Sequence, residues 1–301
     1  MSVKFSCVVD KQPRFLKQVL VWACSLLTFG AQDASSLVIH TVGECHADAM
    51  RLLASWGIET RVVERFDTRH PPSNKLAQLE SEALHSADYV VLSDCDVAFC
   101  GPISPWIVGD SIRARTAAWG GLPPESWVTV FRDAGLQMPS SRVQALVTGR
   151  ETLPSYCNGG LYIFPQAQFQ RLREVWPRWD RWLLDRGDLG RMQYFIDQLS
   201  FAMSCEELAI DIDHLPLELN FDTVYIPLDL AEGVNRQAEI EPMVLHYHGL
   251  DATGRVPLTD LMVVNRGIRK INDLMRFAKR VNFDKAAFML LQERRPFDDH
   301  R

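Results

Sequence analysis

The sequence contains no Cys-x-x-Cys pair and no cysteine–histidine spacing suited to zinc. Its seven cysteines (Cys7, Cys24, Cys45, Cys95, Cys100, Cys157 and Cys205) are odd in number and scattered, which argues against a disulfide framework and for reduced thiols in a cytoplasm. No apolar run spans a bilayer: Val19 to Phe29 is about half the length required and reads as an internal helix. Met1 to Asp10 reads as a strand interrupted by Lys4, not as a signal peptide. Positive charge is not in excess, with 32 Lys and Arg against 38 Asp and Glu and a net charge of −6. Such a chain projects no overall field for nucleic acid, and no nucleic-acid partner is expected. Internal repeats and low-complexity linkers are also missing.

What is present is a chain of 301 residues, 47% hydrophobic and 23% charged, long enough to bury a core without staples. The first hundred residues alternate strands and helices. Val3–Val9, Leu37–Val42, Ile58–Val63 and Tyr89–Leu92 read as strands. Pro13 opens a helix that Gly30 ends, Ala47 to Trp56 forms another, and Asn74 caps a third carrying Leu76, Leu79, Ala83 and Leu84. Repeated βα units imply a mostly parallel sheet flanked by helices. Residues 97–165 are richer in Gly, Pro and Trp, with Leu161–Phe164 as their clear strand. Helices are expected from Gln166 and over Gln193–Met203, and a late strand over Met243–Tyr247. From Asn265 the tail is helical and carries ten Lys and Arg against five Asp and Glu.

Chemistry concentrates at Val90-Val91-Leu92-Ser93-Asp94-Cys95-Asp96. Two carboxylates one residue apart follow a buried strand, at the sheet edge where open α/β folds bind ligands. Hard oxygen donors there suit Mg²⁺ or Mn²⁺, which can neutralise a diphosphate.

The stretch from Asn74 to Phe99, NKLAQLESEALHSADYVVLSDCDVAF, resembles the donor-binding core of GT-A fold glycosyltransferases. It is most similar to the family 8-like group containing glycogenin and the bacterial lipopolysaccharide galactosyltransferases. The resemblance implies an α/β GT-A domain over residues 1–257, with a nucleotide-sugar half (1–100), an acceptor half (101–257) and a helical extension over 258–301. It places Lys75 at the donor phosphates. Asn158-Gly159-Gly160, in the turn before a strand, would bind sugar hydroxyls and admit the donor to the backbone. Asp197-Gln198 resembles the pair beneath the donor sugar. In Val244-Leu245-His246-Tyr247-His248-Gly249, His246 takes the place of the third metal ligand, His248 is its competitor, and the Gly249 N–H would meet a phosphate. Asp10, at the end of the first strand, would accept the imide N–H of uracil.

The chain departs from the family where a lysine usually follows this glycine: Leu250-Asp251-Ala252 has none, and Arg255 is the candidate replacement. The implied reaction is metal-dependent transfer from a UDP-sugar to an acceptor glycan, lipid-linked sugar or small molecule, with retention. Two routes to retention stay open, Asp197 as nucleophile or attack from the leaving-group side. The basic tail reads as a solvated helix face. In the resembled galactosyltransferases such a tail attaches to membranes, and here Phe277, Phe283, Phe288 and Phe297, without a continuous apolar anchor, leave peripheral contact with the inner face of a membrane as the alternative. The competing readings are a silent nucleotide-sugar binding module and a haloacid-dehalogenase-type phosphatase. The latter places its Asp-x-Asp after the first strand of its fold, whereas three strands precede it here. Trp176, Trp179 and Trp182 read as packing, while Trp106, Trp119 and Trp127 fall in loop-like sequence where an exposed indole could meet a sugar.

Overall fold

The computed structural model describes residues 1–44, 47–225 and 240–280. Its strands are β1 (Val3–Val9), β2 (Leu37–Val42), β3 (Glu59–Val63), β4 (Tyr89–Ser93), β5 (Val97–Phe99), β6 (Ile112–Thr116), β7 (Val143–Gln144), β8 (Glu151–Thr152), β9 (Cys157–Pro165), β10 (Ile212–His214), β11 (Phe221–Asp222) and β12 (Val244–His246). Its helices are α1 (Pro13–Thr28), α2 (Ala47–Ser55), α3 (Glu82–His85), α4 (Pro124–Asp133), α5 (Gln166–Leu184), α6 (Ile196–Glu207) and α7 (Met262–Arg280).

Seven strands form one sheet in the order β10-β6-β9-β4-β1-β2-β3. All neighbours run parallel except β9, which is antiparallel to both β4 and β6. Every residue of β2 is buried, as expected for a parallel strand covered on both faces. The two-residue period of β9 is visible in its packing. Leu161 and Ile163 face a core shared with α1, whereas Tyr162 and Phe164 face Phe169, Trp176 and Phe201. Pro13 at the start of α1 supplies a preset φ and needs no hydrogen-bond partner there. Val19, Trp22, Ala23 and Leu26 of that helix join Ile268, Ile271 and Leu274 of α7 in one core. The tail's helix is therefore docked over its described part. Phe283, Phe288 and Phe297 lie outside the described residues.

Asn74 does not cap a helix. It sits inside a 3₁₀ stretch, Pro71–Glu80, where its Oδ1 accepts the Phe66 N–H at 3.1 Å. The paired prolines start the segment, and only a short α3 follows. The expected turn at Asn158-Gly159-Gly160 is instead the first part of β9, and residues 97–165 hold more order than anticipated. There β6 alternates small, apolar and charged residues, and α4 buries Trp127 and Phe131. Trp176 and Trp179 are core residues, as expected.

A buried polar chain clamps the 3₁₀ stretch onto α5 and α6. His70 Nε2 meets the Tyr194 carbonyl at 3.1 Å, and its Nδ1 lies 2.7 Å from Ser73 Oγ. Ser73 Oγ lies 2.7 Å from Asp180 Oδ1, and Ser200 Oγ donates to Asp180 Oδ2 at 3.1 Å. A carbonyl only accepts, so Nε2 carries a hydrogen. Ser73 has one proton for two neighbours, so either His70 Nδ1 or Asp180 must carry another. Burial pushes the Asp180 carboxyl up to about 7, with the Ser73 hydroxyl opposing and the Asp197 charge adding. Held above its unfolded value, this group stabilises the fold fully below about pH 4, and that contribution is lost as pH rises through 7. Asp180→Asn removes the titration. Urea unfolding of both proteins should show the variant gaining about 2 kcal/mol on the wild type between pH 5 and pH 8. A difference that stays constant with pH would place the proton elsewhere.

Candidate active site

Asp94-Cys95-Asp96 is the link by which the chain leaves β4 for a second, three-stranded sheet, ordered β11-β12-β5. The Asp94 N–H donates to the Gly160 carbonyl of β9 at 3.3 Å, and the Asp96 carbonyl accepts the Tyr247 N–H at 3.0 Å. Both ends of the acidic link are thus pinned by backbone. For His246 to meet this link, the late strand need not lie beside β4. It pairs antiparallel with β5 instead, with His246 opposite Val97, because the second sheet starts directly after Asp96. The result still delivers His246: its Nε2 lies 3.5 Å from Asp96 Oδ1 and 3.9 Å from Asp94 Oδ2.

His248 follows after the strand has ended. Its left-handed φ of +56° turns the chain, and its ring stacks on His246 with centroids 4.1 Å apart. Its Nε2 lies 2.9 Å from Asp222 Oδ2. Asp96, His246 and His248 offer ligand atoms within 4.8 Å of one another. Asp222 and Asn220, placed by β11 and the turn before it, were missed by sequence reasoning. A two-residue strand has no periodicity to detect.

On the other side of Asp94, the Lys75 ammonium lies 2.9 Å from Asp94 Oδ1 and 2.9 Å from Asp197 Oδ2. Burial alone would push this lysine down, but Asp197 and Asp94 reverse the shift and hold it raised. It is an enclosed ion, not a solvated helix residue. Asp197 belongs to the first turn of α6, where a carboxylate also meets the positive end of the helix. Burial and the Asp96 charge raise Asp94, with Lys75 and His246 opposing. Asp96 is held low because His246 outweighs its burial, and His246 is raised by both carboxylates against its own burial.

The two glycines of β9 have a steric function. A Cβ on Gly159 would lie 2.5 Å from Lys75 Nζ and 3.2 Å from Asp197 Oδ2. One on Gly160 would lie 2.5 Å from both His246 Nδ1 and Asn220 Oδ1. Their bareness makes room for the site's own side chains. Asn158 Oδ1 accepts from the Gly160 N–H at 2.8 Å and from Asn220 Nδ2 at 3.0 Å.

Asp10, Lys75, Asp94, Asp96, Asn158, Gly159, Asp197, Gln198 and His246 border one cleft of about 970 Å³. Asp10 is paired there with Arg65 at 3.0 Å, a partner the sequence did not single out. Gly160 lies behind the cleft wall. Gly249 is also outside it, and its N–H donates back to the Tyr247 carbonyl at 2.6 Å rather than facing a ligand. Arg255 is exposed away from the cleft, in a turn closed by Asp251. Trp127 is buried in α4, whereas Trp119 borders the cleft.

The donor set fits a divalent cation. Four carboxylates (Asp94, Asp96, Asp197 and Asp222) surround a region in which Lys75 neutralises two, and the ion-pair partner of Asp96 is a histidine. Asp96, His246 and His248 offer one hard oxygen and two imidazoles, and Asp94 adds a carboxylate oxygen 3.9 Å from His246, a mixed set that Mn²⁺ tolerates better than Mg²⁺.

Comparison with curated proteins gives no match. Among solved structures, the galactosyltransferase LgtC in complex with donor and acceptor sugar analogues is 13% identical, with 91% of this chain and 95% of that chain covered and a TM-score of 0.54. The glycosyltransferase GlyE of Streptococcus pneumoniae TIGR4 is 12% identical, with 95% of this chain and 64% of that chain covered and a TM-score of 0.56. These likenesses establish the GT-A fold. Residues 7–209 match the Rhodobacterales glycosyltransferase domain, so the link between two sheets, the lysine and the histidine lie in a chain that belongs to that glycosyltransferase family.

Proposed function

We propose that this glycosyltransferase moves a sugar from a nucleotide diphosphate donor, a UDP-sugar, to an acceptor hydroxyl, with retention at the anomeric carbon. The observation that carries this reading is the convergence of Asp94, Asp96 and His246 at the end of β4, with Lys75 behind Asp94. Asp94, Asp96 and His246 would hold Mn²⁺ or Mg²⁺. Such an ion neutralises a diphosphate and stabilises the charge on the departing nucleotide.

The other roles follow from position. Lys75 supplies a fixed positive charge beside the diphosphate and holds Asp197 against Asp94. Asp197 and Gln198 line the floor beneath the transferred sugar, and Asn158 offers its amide from β9. Asp10 and Arg65, past the ends of β1 and β3, face the base. Residues 1–257 act as the catalytic unit, with α7 of the extension docked on α1. The six described cysteines are all free and buried, which fits a reducing compartment, and we place the enzyme in the cytoplasm. No helix among the described residues is long and apolar enough to cross a membrane. The acceptor is a glycan, a lipid-linked sugar or a small molecule.

Asp94→Asn and Asp96→Asn should each lower UDP-sugar turnover by about 10²-fold or more while the thermal unfolding profile is kept. Wild-type turnover in the double variant, at saturating donor, would end the metal assignment. His246→Ala should shift the Mn²⁺ titration to higher concentration, and His248→Ala should shift it much less. A shift confined to His248→Ala would transfer the ligand role to His248. Lys75→Ala leaves Asp94 and Asp197 without the ammonium between them and should cost about 3 kcal/mol of stability in metal-free buffer. It should also raise the donor KM more than the acceptor KM. A change restricted to the acceptor would move Lys75 to the other half of the cleft.

A further inference from the structure

The cleft has an aromatic wall that the donor and metal assignments leave unused. Trp119 is 42% exposed and Tyr225 is 38% exposed, and both border the same cleft as Asp94 and His246. Their rings meet edge to face, with centroids 5.5 Å apart and planes at 79°. Tyr225 in turn meets His248 at 5.6 Å, and His248 stacks on His246. A continuous row of rings therefore runs from the candidate metal ligand outward to open solvent.

These exposed rings are held in place. The Tyr225 N–H donates to Asp222 Oδ1 at 2.7 Å, and the other oxygen of that carboxylate lies 2.9 Å from His248 Nε2. One side chain thus fixes two members of the row. The backbone leading into Trp119 is tied at the two residues before it: Ala117 N–H donates to the Tyr156 carbonyl at 3.1 Å, and the Ala118 carbonyl accepts the Val147 N–H at 2.9 Å. Leaving two large rings in water at fixed positions costs hydrophobic free energy that burial would recover.

Position decides which substrate they serve. Asp10 and Arg65 lie past the ends of β1 and β3, on one side of β4. Trp119 follows β6, which is separated from β4 by β9 on the opposite side. We propose that Trp119 and Tyr225 form a stacking subsite for the acceptor, taking the C–H-bearing face of a pyranose ring. This rests on the reading of the cleft as a site of glycosyl transfer. Ring faces carry negative charge, which attracts polarised C–H bonds, while the sugar hydroxyls stay in contact with water at the rim. A polyol without a ring lacks that flat apolar face.

The test needs no turnover. The full chain labelled with 5-fluorotryptophan gives fluorine resonances for its eight tryptophans, and Trp119→Phe assigns the one that matters. Titration with methyl β-D-galactopyranoside and methyl α-D-glucopyranoside should move that resonance saturably with at least one of the two. Erythritol at matched hydroxyl concentration should not move it. Tyr225→Ala should weaken the pyranoside response about three- to tenfold, and UDP with Mn²⁺ should not displace the sugar. No saturable shift with either pyranoside, an equal shift with erythritol, or competitive displacement by UDP would each overturn the subsite, the last by making the wall a base platform. Failure of the glycosyl-transfer reading is seen separately, as a wild-type chain that neither binds nor cleaves any nucleotide sugar.

Discussion

The contact on which the site depends is the Lys75 ammonium held between Asp94 and Asp197. It joins three segments far apart in sequence: the 3₁₀ stretch, the end of β4 and the first turn of α6. An ion pair this enclosed is a poor way to gain stability, because desolvating the charges offsets most of their attraction. The surroundings are nonetheless shaped to admit it. Gly159 leaves the space the ammonium occupies, and the His70–Ser73–Asp180 chain anchors the start of the same 3₁₀ stretch to α5. Such effort around a costly pair makes sense where the charges act on a ligand.

A second constraint is the division of labour between the sheets. The large sheet carries Asp94, Asn158 and the glycines, while the small one carries His246 and, through β11, Asp222. The acidic link belongs to both. Backbone hydrogen bonds tie its two ends to β9 and to Tyr247 just past β12, so the Cα positions that carry the carboxylates are fixed by the two sheets. Candidate cation ligands on rigid elements, brought together by sheet pairing, would have the preorganisation that binding a small cation needs.

The architecture of the first hundred residues was legible because its strands are continuous apolar runs and its first helix is bounded by Pro13 and Gly30. Asp94, Asp96, Lys75, Asn158, Asp197 and His246 converge on one cleft as the motif order implied. What escaped detection was short or defined by its partner. Three-residue β5 and two-residue β11 exist as strands only because β12 lies between them. The cap expected at Asn74 failed because Asn74 spends its side-chain oxygen on the Phe66 N–H, a contact invisible to spacing. Arg65 lies in sequence that reads as an ordinary surface segment, and nothing there announces its pairing with Asp10.

The glycines of β9 have a role inside the fold that the motif alone does not disclose. Read as sequence, Gly159 and Gly160 suggest a bare backbone onto which a donor could settle. In the fold their missing side chains are filled already, by Lys75 and Asp197 at one and by His246 and Asn220 at the other. Each glycine faces one side of Asp94: the lysine that neutralises it and the histidine that would share a cation with it. A methyl group at either position would push against the charge balance before any substrate arrives. The glycine pair therefore acts first on the site itself, by letting a histidine corner and a fixed ammonium stand on opposite sides of one carboxylate.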